Sequence, residues 1–337
     1  MKIAFFWDNC TVDSFYVKNG IAYRWKGNQP YTYDRNINPQ CMLDDFNYLY
    51  TGDEGYFFNL YREEDLPDIK PDILFYACER NGLDTTEWNK YNVDRIREKY
   101  KIPVIGKVKE LGRNFPEVHR PGRFQDRIKF FNKCDYAHMF DAGAIRHTDE
   151  FKEVSTRINK PFNFSNQCMN VNYLFENFYS SEKEFKIFVY RPVSPHRFGR
   201  TFEFAKYLSE KYNIGLVMKD PSHTRREHLS SEEFIKMWSQ CAFHINMDPI
   251  HAQPGWQAIH TACTGTINIG GVNDSHKNLY PTLATNDEVI LEQEFKKIIS
   301  DDEYRFNIIS SAWEKVNKLH SFKSCKDQIT KLYLKNT

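Results

Sequence analysis

Short apolar runs alternate with amphipathic segments from one end of the chain to the other, the pattern of an α/β protein built on parallel sheets. In the first half, the runs Lys2–Trp7, Asp72–Ala77, Pro103–Val108 and Tyr136–Phe140 predict strands. Between them Glu87–Tyr100 predicts a helix with Trp88, Tyr91 and Ile96 on one face, stopped by Lys101-Ile102-Pro103. Segment 8–55, rich in Asn, Tyr, Gly and Asp, is irregular and its elements cannot be placed. A polar, Asn-rich stretch at 155–183 reads as a connection between domains, and a second α/β unit follows it. There the predicted strands are Phe185–Tyr190, Ile214–Met218, Ala242–Met247 and Thr266–Ile269. Thr201–Tyr212 and Gly255–Ala262 predict helices, and Ser230-Ser231-Glu232-Glu233 supplies the caps and early acids of another that runs into Phe234, Ile235 and Trp238. Phe306, Ile309, Trp313 and Val316 fall at helical spacing, and Ser324–Leu334 predicts a last helix.

This order fits two Rossmann-like domains facing across a cleft: residues 1–165, residues 166–320, and a C-terminal helix at 321–337 that packs back on the first. A length of 337 residues agrees with two domains. In open α/β sheets ligands bind beyond the carboxyl ends of the strands, so the loops there are where chemistry is expected. The five apolar residues before Asp8 are too few for a signal-peptide core, and no run approaches the ~20 apolar residues of a membrane span. The expectation is a soluble, cytoplasmic protein. Eight cysteines lie far apart with no C-x-x-C pair, which points to scattered buried thiols in a reducing compartment. The abundance of Phe, Tyr, Asn, Lys and Ile reads partly as the codon bias of an AT-rich genome.

Two stretches can carry chemistry. The first, Arg191-Pro192-Val193-Ser194-Pro195-His196-Arg197-Phe198-Gly199-Arg200, joins a strand end to a helix start. Three guanidinium groups beside a helix N-terminus suit a diphosphate, and a solvated basic turn would have the same composition. The second runs from Asp248 through a Pro254-Gly255 turn and a short helix to Thr264-Gly265-Thr266. Its exposed N–H groups could take an anion or sugar hydroxyls, although Pro-Gly and Thr-Gly are also ordinary turn chemistry.

In this order and at this separation, the two stretches resemble the C-terminal domain of GT-B glycosyltransferases, above all the large retaining group with the pattern G-R-L-x-x-x-K-G, E-x₇-E, A-C-G-T-P. The resemblance spans about residues 184–320 and is only architectural over 1–165. It implies that Arg191 and, with one extra residue between, Arg197 contact the donor diphosphate, that Gly255 lies in the donor loop, and that Thr264-Gly265-Thr266 replaces Cys-Gly-Thr. The donor-binding set is then Arg191, Arg197, Arg200, Lys219, His251, Gln253, Pro254, Gly255, Trp256, His260, Thr264, Gly265 and Thr266. Two departures stand out: the family's glutamates align with Ala252 and His260. A neutral imidazole at His260 can still hydrogen-bond a ribose diol, and it can equally be a buried helix residue. The stereochemical outcome stays open. There is no G-x-G-x-x-G turn, no P-loop and no D-x-D triplet, so the expected activity is a metal-independent hexosyl- or pentosyltransferase. No cofactor is implied beyond the nucleotide-sugar donor, expected to be a UDP-sugar.

Charge sharpens the acceptor side. The chain carries 46 Lys+Arg and 45 Asp+Glu, which argues against a uniformly basic protein. Yet residues 94–133 hold twelve basic residues against five acids, a local +7 set against −6 elsewhere. Lys107, Lys109, Arg113, His119, Arg120 and Arg123 form the candidate acceptor-binding set, for which DNA is the sharpest polyanion. The alternative is a solvated basic helix paired with nearby acids. The Ala-Cys-Thr-Gly-Thr-Ile run and the AT-rich composition are similar to those of phage enzymes that glycosylate hydroxymethylated pyrimidines in DNA. That resemblance would give Phe115, Phe124 or Phe130 a use as wedges beside a flipped base. Asp8, which ends the first strand, is the candidate general base, and an Asx turn is its alternative role. A surface-glycan or lipid-linked acceptor, or a silent nucleotide-sugar or nucleic-acid binder, are the other readings.

Overall fold

A computed structural model describes residues 1–6, 15–18, 21–24, 30–31, 57–60, 66–77, 93–107, 128–140, 149–190, 195–219, 231–247 and 256–334. The chain forms two compact units, one from Met1–Cys168 together with Phe322–Thr337, the other from Met169–Ser321.

In the first unit, β1 (Ile3–Phe6), β5 (Phe57–Leu60), β6 (Ile73–Ala77), β7 (Val104–Lys107), β8 (Tyr136–Phe140) and β9 (Phe162–Ser165) form one sheet in the order β5-β1-β6-β7-β8-β9. Every pairing in it is parallel. Parallel strands are covered on both faces, which is why Ile73, Leu74, Phe75 and Tyr76 form an unbroken buried run. A separate antiparallel sheet joins β2 (Phe15–Lys18), β3 (Ile21–Arg24) and β4 (Pro30–Tyr31), inside the segment whose sequence shows no usable period. The helices are α1 (Leu66–Ile69), α2 (Val93–Tyr100), α3 (residues 128–133), α4 (Asp149–Arg157) and, from the far end of the chain, α12 (Phe322–Tyr333). Lys101 closes α2 in the left-handed region at φ 54, donating its N–H to the Arg97 carbonyl at 2.8 Å. α12 places Phe322, Cys325, Ile329 and Tyr333 in the same core as Ile3, Ile73, Phe75, Ile105 and Phe140.

The second unit is built on β10 (Glu184–Tyr190), β11 (Gly215–Lys219), β12 (Cys241–Ile245) and β13 (Ile267–Ile269), parallel throughout in the order β11-β10-β12-β13. Its helices are α5 (Val171–Phe178), α6 (Pro195–Tyr212), α7 (Ser231–Ser239), α8 (Trp256–Thr264), α9 (Asp274–Leu279), α10 (Glu288–Ser300) and α11 (Asp302–His320).

Several expectations need correction. The boundary between the two units does fall inside residues 155–183, at Cys168–Met169, but the stretch is built of regular elements: it carries β9 and α5, with Phe162 and Phe164 stacked at 5.2 Å and Asn170 capping α5 by accepting from the Tyr173 N–H at 3.2 Å. Asn there is helix-cap chemistry, which composition alone reads as loop. The buried stripe of α11 is Ala312, Val316 and His320, while Phe306 is 63% exposed. Helical spacing identifies a shared face but not how much of its length is covered. The five described cysteines, Cys134, Cys168, Cys241, Cys263 and Cys325, are buried thiols.

Candidate donor site at the carboxyl edge of the second sheet

β10 lies between β11 and β12, the strands that follow it in sequence, so the order of the second sheet reverses at β10. The crevice beyond the carboxyl ends at such a reversal is where open α/β sheets take ligands. Because β10, β11, β12 and β13 are parallel, the helix that leaves each strand starts at this edge and returns to the other. α6, 18 residues long, and α8, 9 residues long, therefore both present their N-termini here, behind two neighbouring strands. Unpaired N–H groups and the positive ends of two helix dipoles at one edge favour an anion.

Backbone contacts fasten this edge. The Met247 N–H donates to Thr201 Oγ1 at 3.0 Å, tying the end of β12 to α6. The Asn246 N–H donates to the Ile269 carbonyl at 2.9 Å, and its side-chain amide donates to Gln257 Oε1 in the first turn of α8. Gly270 and Gly271, just past β13, have φ 87 and 91. A Cβ on Gly270 would lie 2.7 Å from the Asn246 carbonyl oxygen, and one on Gly271 2.6 Å from the His276 ring, so only glycine fits either place. Thr201, Asn246, Gln257 and this glycine pair escaped the sequence reading; two glycines directly after a strand were the available signal.

Arg197 and Trp256 sit in the first turns of α6 and α8, and Lys219 ends β11 in register with Tyr190, so the backbone brings all three to this edge. Their side chains are not among those described. Arg191, His251, Gln253, Pro254 and Gly255 lie outside the described residues, as do Asp8, Lys109, Arg113, His119, Arg120 and Arg123. Arg200 is described and is engaged elsewhere: Nε donates to Glu288 Oε1 at 2.7 Å and Nη2 to the Asn286 carbonyl at 3.0 Å.

Two assignments change. α8 spans its 9 residues over about 13 Å, so Thr264-Gly265-Thr266 lies at the amino edge, away from the helix N-termini. There Thr266 Oγ1 donates to the Cys241 carbonyl at 3.0 Å, and Lys183 Nζ donates to the Thr264 carbonyl at 2.5 Å and to the Ser239 carbonyl, closing the ends of α8 and α7. Gly265 has φ 78 and a Cβ there would meet the Tyr179 ring at 2.8 Å. Gly265→Ala should therefore cost about 1–3 kcal/mol. Urea melts of variant and wild type read it, and equal midpoints would contradict the packing. His260, in turn, is a core residue: 2% exposed, its ring edge-on to Trp238 at 5.2 Å, with burial pushing its pKa down to about 3. The α8 face it occupies is covered from Ala258 to Thr264.

In the first unit Lys107 is 4% exposed, its ammonium over the Phe140 ring at 5.2 Å, so it belongs to no exposed basic platform. Phe130 is 2% exposed and packs on Tyr76 and Phe131, which removes it as a wedge. Arg97 pairs with Asp94 and Asp135, both at 3.1 Å, so part of the local positive charge is internally matched. β1 is flanked by β5 and β6, which puts the reversal of this sheet at the strand that Asp8 follows by two residues.

No protein-family model matches the sequence, and no curated protein is similar enough in sequence to count as a relative. Solved structures do match. An alpha-glucosyltransferase in complex with UDP-glucose and DNA containing an abasic site is 12% identical, with 98% of this chain and 99% of that one covered and a TM-score of 0.55. An alpha-glucosyltransferase in complex with UDP and a 13-mer DNA containing an HMU base is 12% identical, covering 83% and 85%, TM-score 0.55. An alpha,alpha-trehalose-phosphate synthase (UDP-forming) from Burkholderia vietnamiensis is 10% identical, covering 81% and 75%, TM-score 0.53. The fold is GT-B. No helix among the described residues is long and apolar enough to cross a membrane.

Proposed function

We propose that this protein is a glycosyltransferase that takes a sugar from a UDP-sugar and places it on a hydroxymethylated pyrimidine in duplex DNA. The observation that carries the donor half is the convergence of the α6 and α8 N-termini at the reversal of the second sheet. Arg191 and Arg197, in sequence at the start of that helix, would neutralise the diphosphate as the anomeric carbon–oxygen bond to it breaks. The acceptor hydroxyl oxygen forms the new bond and gives up its proton, for which Asp8 is the candidate base. No metal is invoked in the step.

The acceptor half rests on the basic segment 94–133 and on the full-length likeness to an alpha-glucosyltransferase seen with UDP-glucose and DNA. Incubated with UDP-sugars and duplex DNA carrying hydroxymethylated pyrimidine, the protein should release UDP and add the mass of one sugar to the DNA. Arg191→Ala and Arg197→Ala should each raise the donor KM, and wild-type kinetics in both would remove the phosphate assignment. Sugar transfer only to free saccharides would remove the DNA acceptor. The replacement of the family's second glutamate by a buried His260 favours one other reading, a binder without turnover, which the same assay separates: UDP bound, none released.

A further inference from the structure

Two consecutive residues of α6 each hold a segment at the carboxyl edge. Thr201 fixes Met247, where the chain leaves β12, by accepting its N–H at 3.0 Å. Arg200, one residue earlier, donates to the Asn286 carbonyl at 3.0 Å and to Glu288 at 2.7 Å, at the start of α10. The Asn286 side chain in turn accepts the Gly271 N–H at 3.1 Å. Asp287 caps α10 through Val289 and Ile290, so the segment carrying Asn286 is itself anchored. Gly270 closes the circuit by packing against the Asn246 carbonyl. The left-handed backbone at Gly270–Gly271 is one that an unsupported loop would leave readily.

We infer that Arg200 and Asn286 are positioning residues of the donor site: acting through Gly271, they hold the wall beyond β13 in register with the loop beyond β12, so that a nucleoside diphosphate meets a preformed edge. Neither touches the donor. The inference rests on the UDP-sugar reading and goes beyond it by assigning Arg200 to the brace rather than to the phosphate.

The test is a calorimetric titration of UDP into wild type, Arg200→Ala, Asn286→Ala and the double variant, each melted in parallel. Each single change should weaken UDP binding about three- to tenfold, the worth of a net hydrogen bond, with the melting midpoint nearly unmoved. The double variant should be little worse than either single, because both changes open one brace. In UDP-glucose turnover the loss should fall on KM and leave kcat within about twofold. Wild-type affinity in Asn286→Ala, fold-losses that multiply in the double variant, or weakening that merely tracks a lowered midpoint would each overturn the brace and leave the donor reading standing. Wild-type protein that binds no UDP would overturn both.

Discussion

Lowering the pH from 7 to 5 is expected to unfold the second unit before the first. His244, His260 and His276 are all buried there, and burial lowers their pKa values to about 4, 3 and 3, with His244 adding to the effect on His276. Each is neutral in the fold, and the Nδ1–H groups of His244 and His276 donate to Asn268 at 2.8 Å and Asn273 at 2.6 Å. In the unfolded chain each takes a proton near pH 6.5. Between that value and the folded pKa the unfolded state binds more protons, so stability is complete above about pH 6.5 and is lost as the pH falls toward 4. Each imidazole contributes about 1.4 kcal/mol per pH unit, so three lose roughly 6 kcal/mol by pH 5, comparable to a whole domain's stability. The first unit has His138, lowered to about 3 by burial and by Lys107, and should lose about a third as much. Urea titrations at pH 7.5, 6.5 and 5.5 measure the slope above the range where carboxylates titrate. His260→Gln should reduce it by one proton, and a flat profile would contradict the buried neutral imidazoles.

That the sequence shows an α/β chain follows from the length and period of its apolar runs. Phe185–Tyr190 reads as a strand, and in the fold its middle, Ile187, Phe188 and Val189, is buried while Phe185 is 42% exposed; Phe204, Ala205 and Leu208 after it are buried on one face of α6. The carboxyl edge of the second sheet was legible to the same extent, because a strand followed by a helix fixes where the helix begins. The other end of α8 was not. A Thr-Gly-Thr turn looks the same at either edge of a sheet, and only the direction of α8 assigns it to the amino edge, where Gly265 is required by Tyr179. His260 stays open in the sequence, because its alignment with the family's glutamate fits a ribose contact and a buried helix residue alike; its burial in the fold decides for the second. The same limit applies to Lys107 and Phe130: charge and aromatic counts along 94–133 say nothing about which way a side chain points. Arg200 shows it once more, since its partners Asn286 and Glu288 lie 86 and 88 residues away.

Such long-range dependence is strongest at α12. Removing the chain after Ser321 should abolish the cooperative unfolding of the first unit while leaving a transition for the second. Four side chains at spacings of three and four, Phe322, Cys325, Ile329 and Tyr333, fill the core under β1, β6, β7 and β8. At about 1.5–3 kcal/mol each, their burial is worth roughly 6–12 kcal/mol, most of what a domain of this size has in reserve. Tyr333 adds a polar tie: its hydroxyl stands 2.6 Å from His138 Nδ1, whose other nitrogen faces Ser165 Oγ at 3.0 Å, and its ring is edge-on to Tyr136 at 4.9 Å. Packing and hydrogen bonding separate by substitution. Ile329→Ala removes apolar volume alone and should cost about 2–5 kcal/mol. Tyr333→Phe keeps the ring and leaves a buried imidazole nitrogen without its partner, for about 1–3 kcal/mol. Calorimetry of the three proteins shows which transition each change moves. If the truncated chain keeps both transitions, the sheet of the first unit closes without α12 and the helix is an accessory; if only the first is lost, that domain is completed by the last segment of the chain.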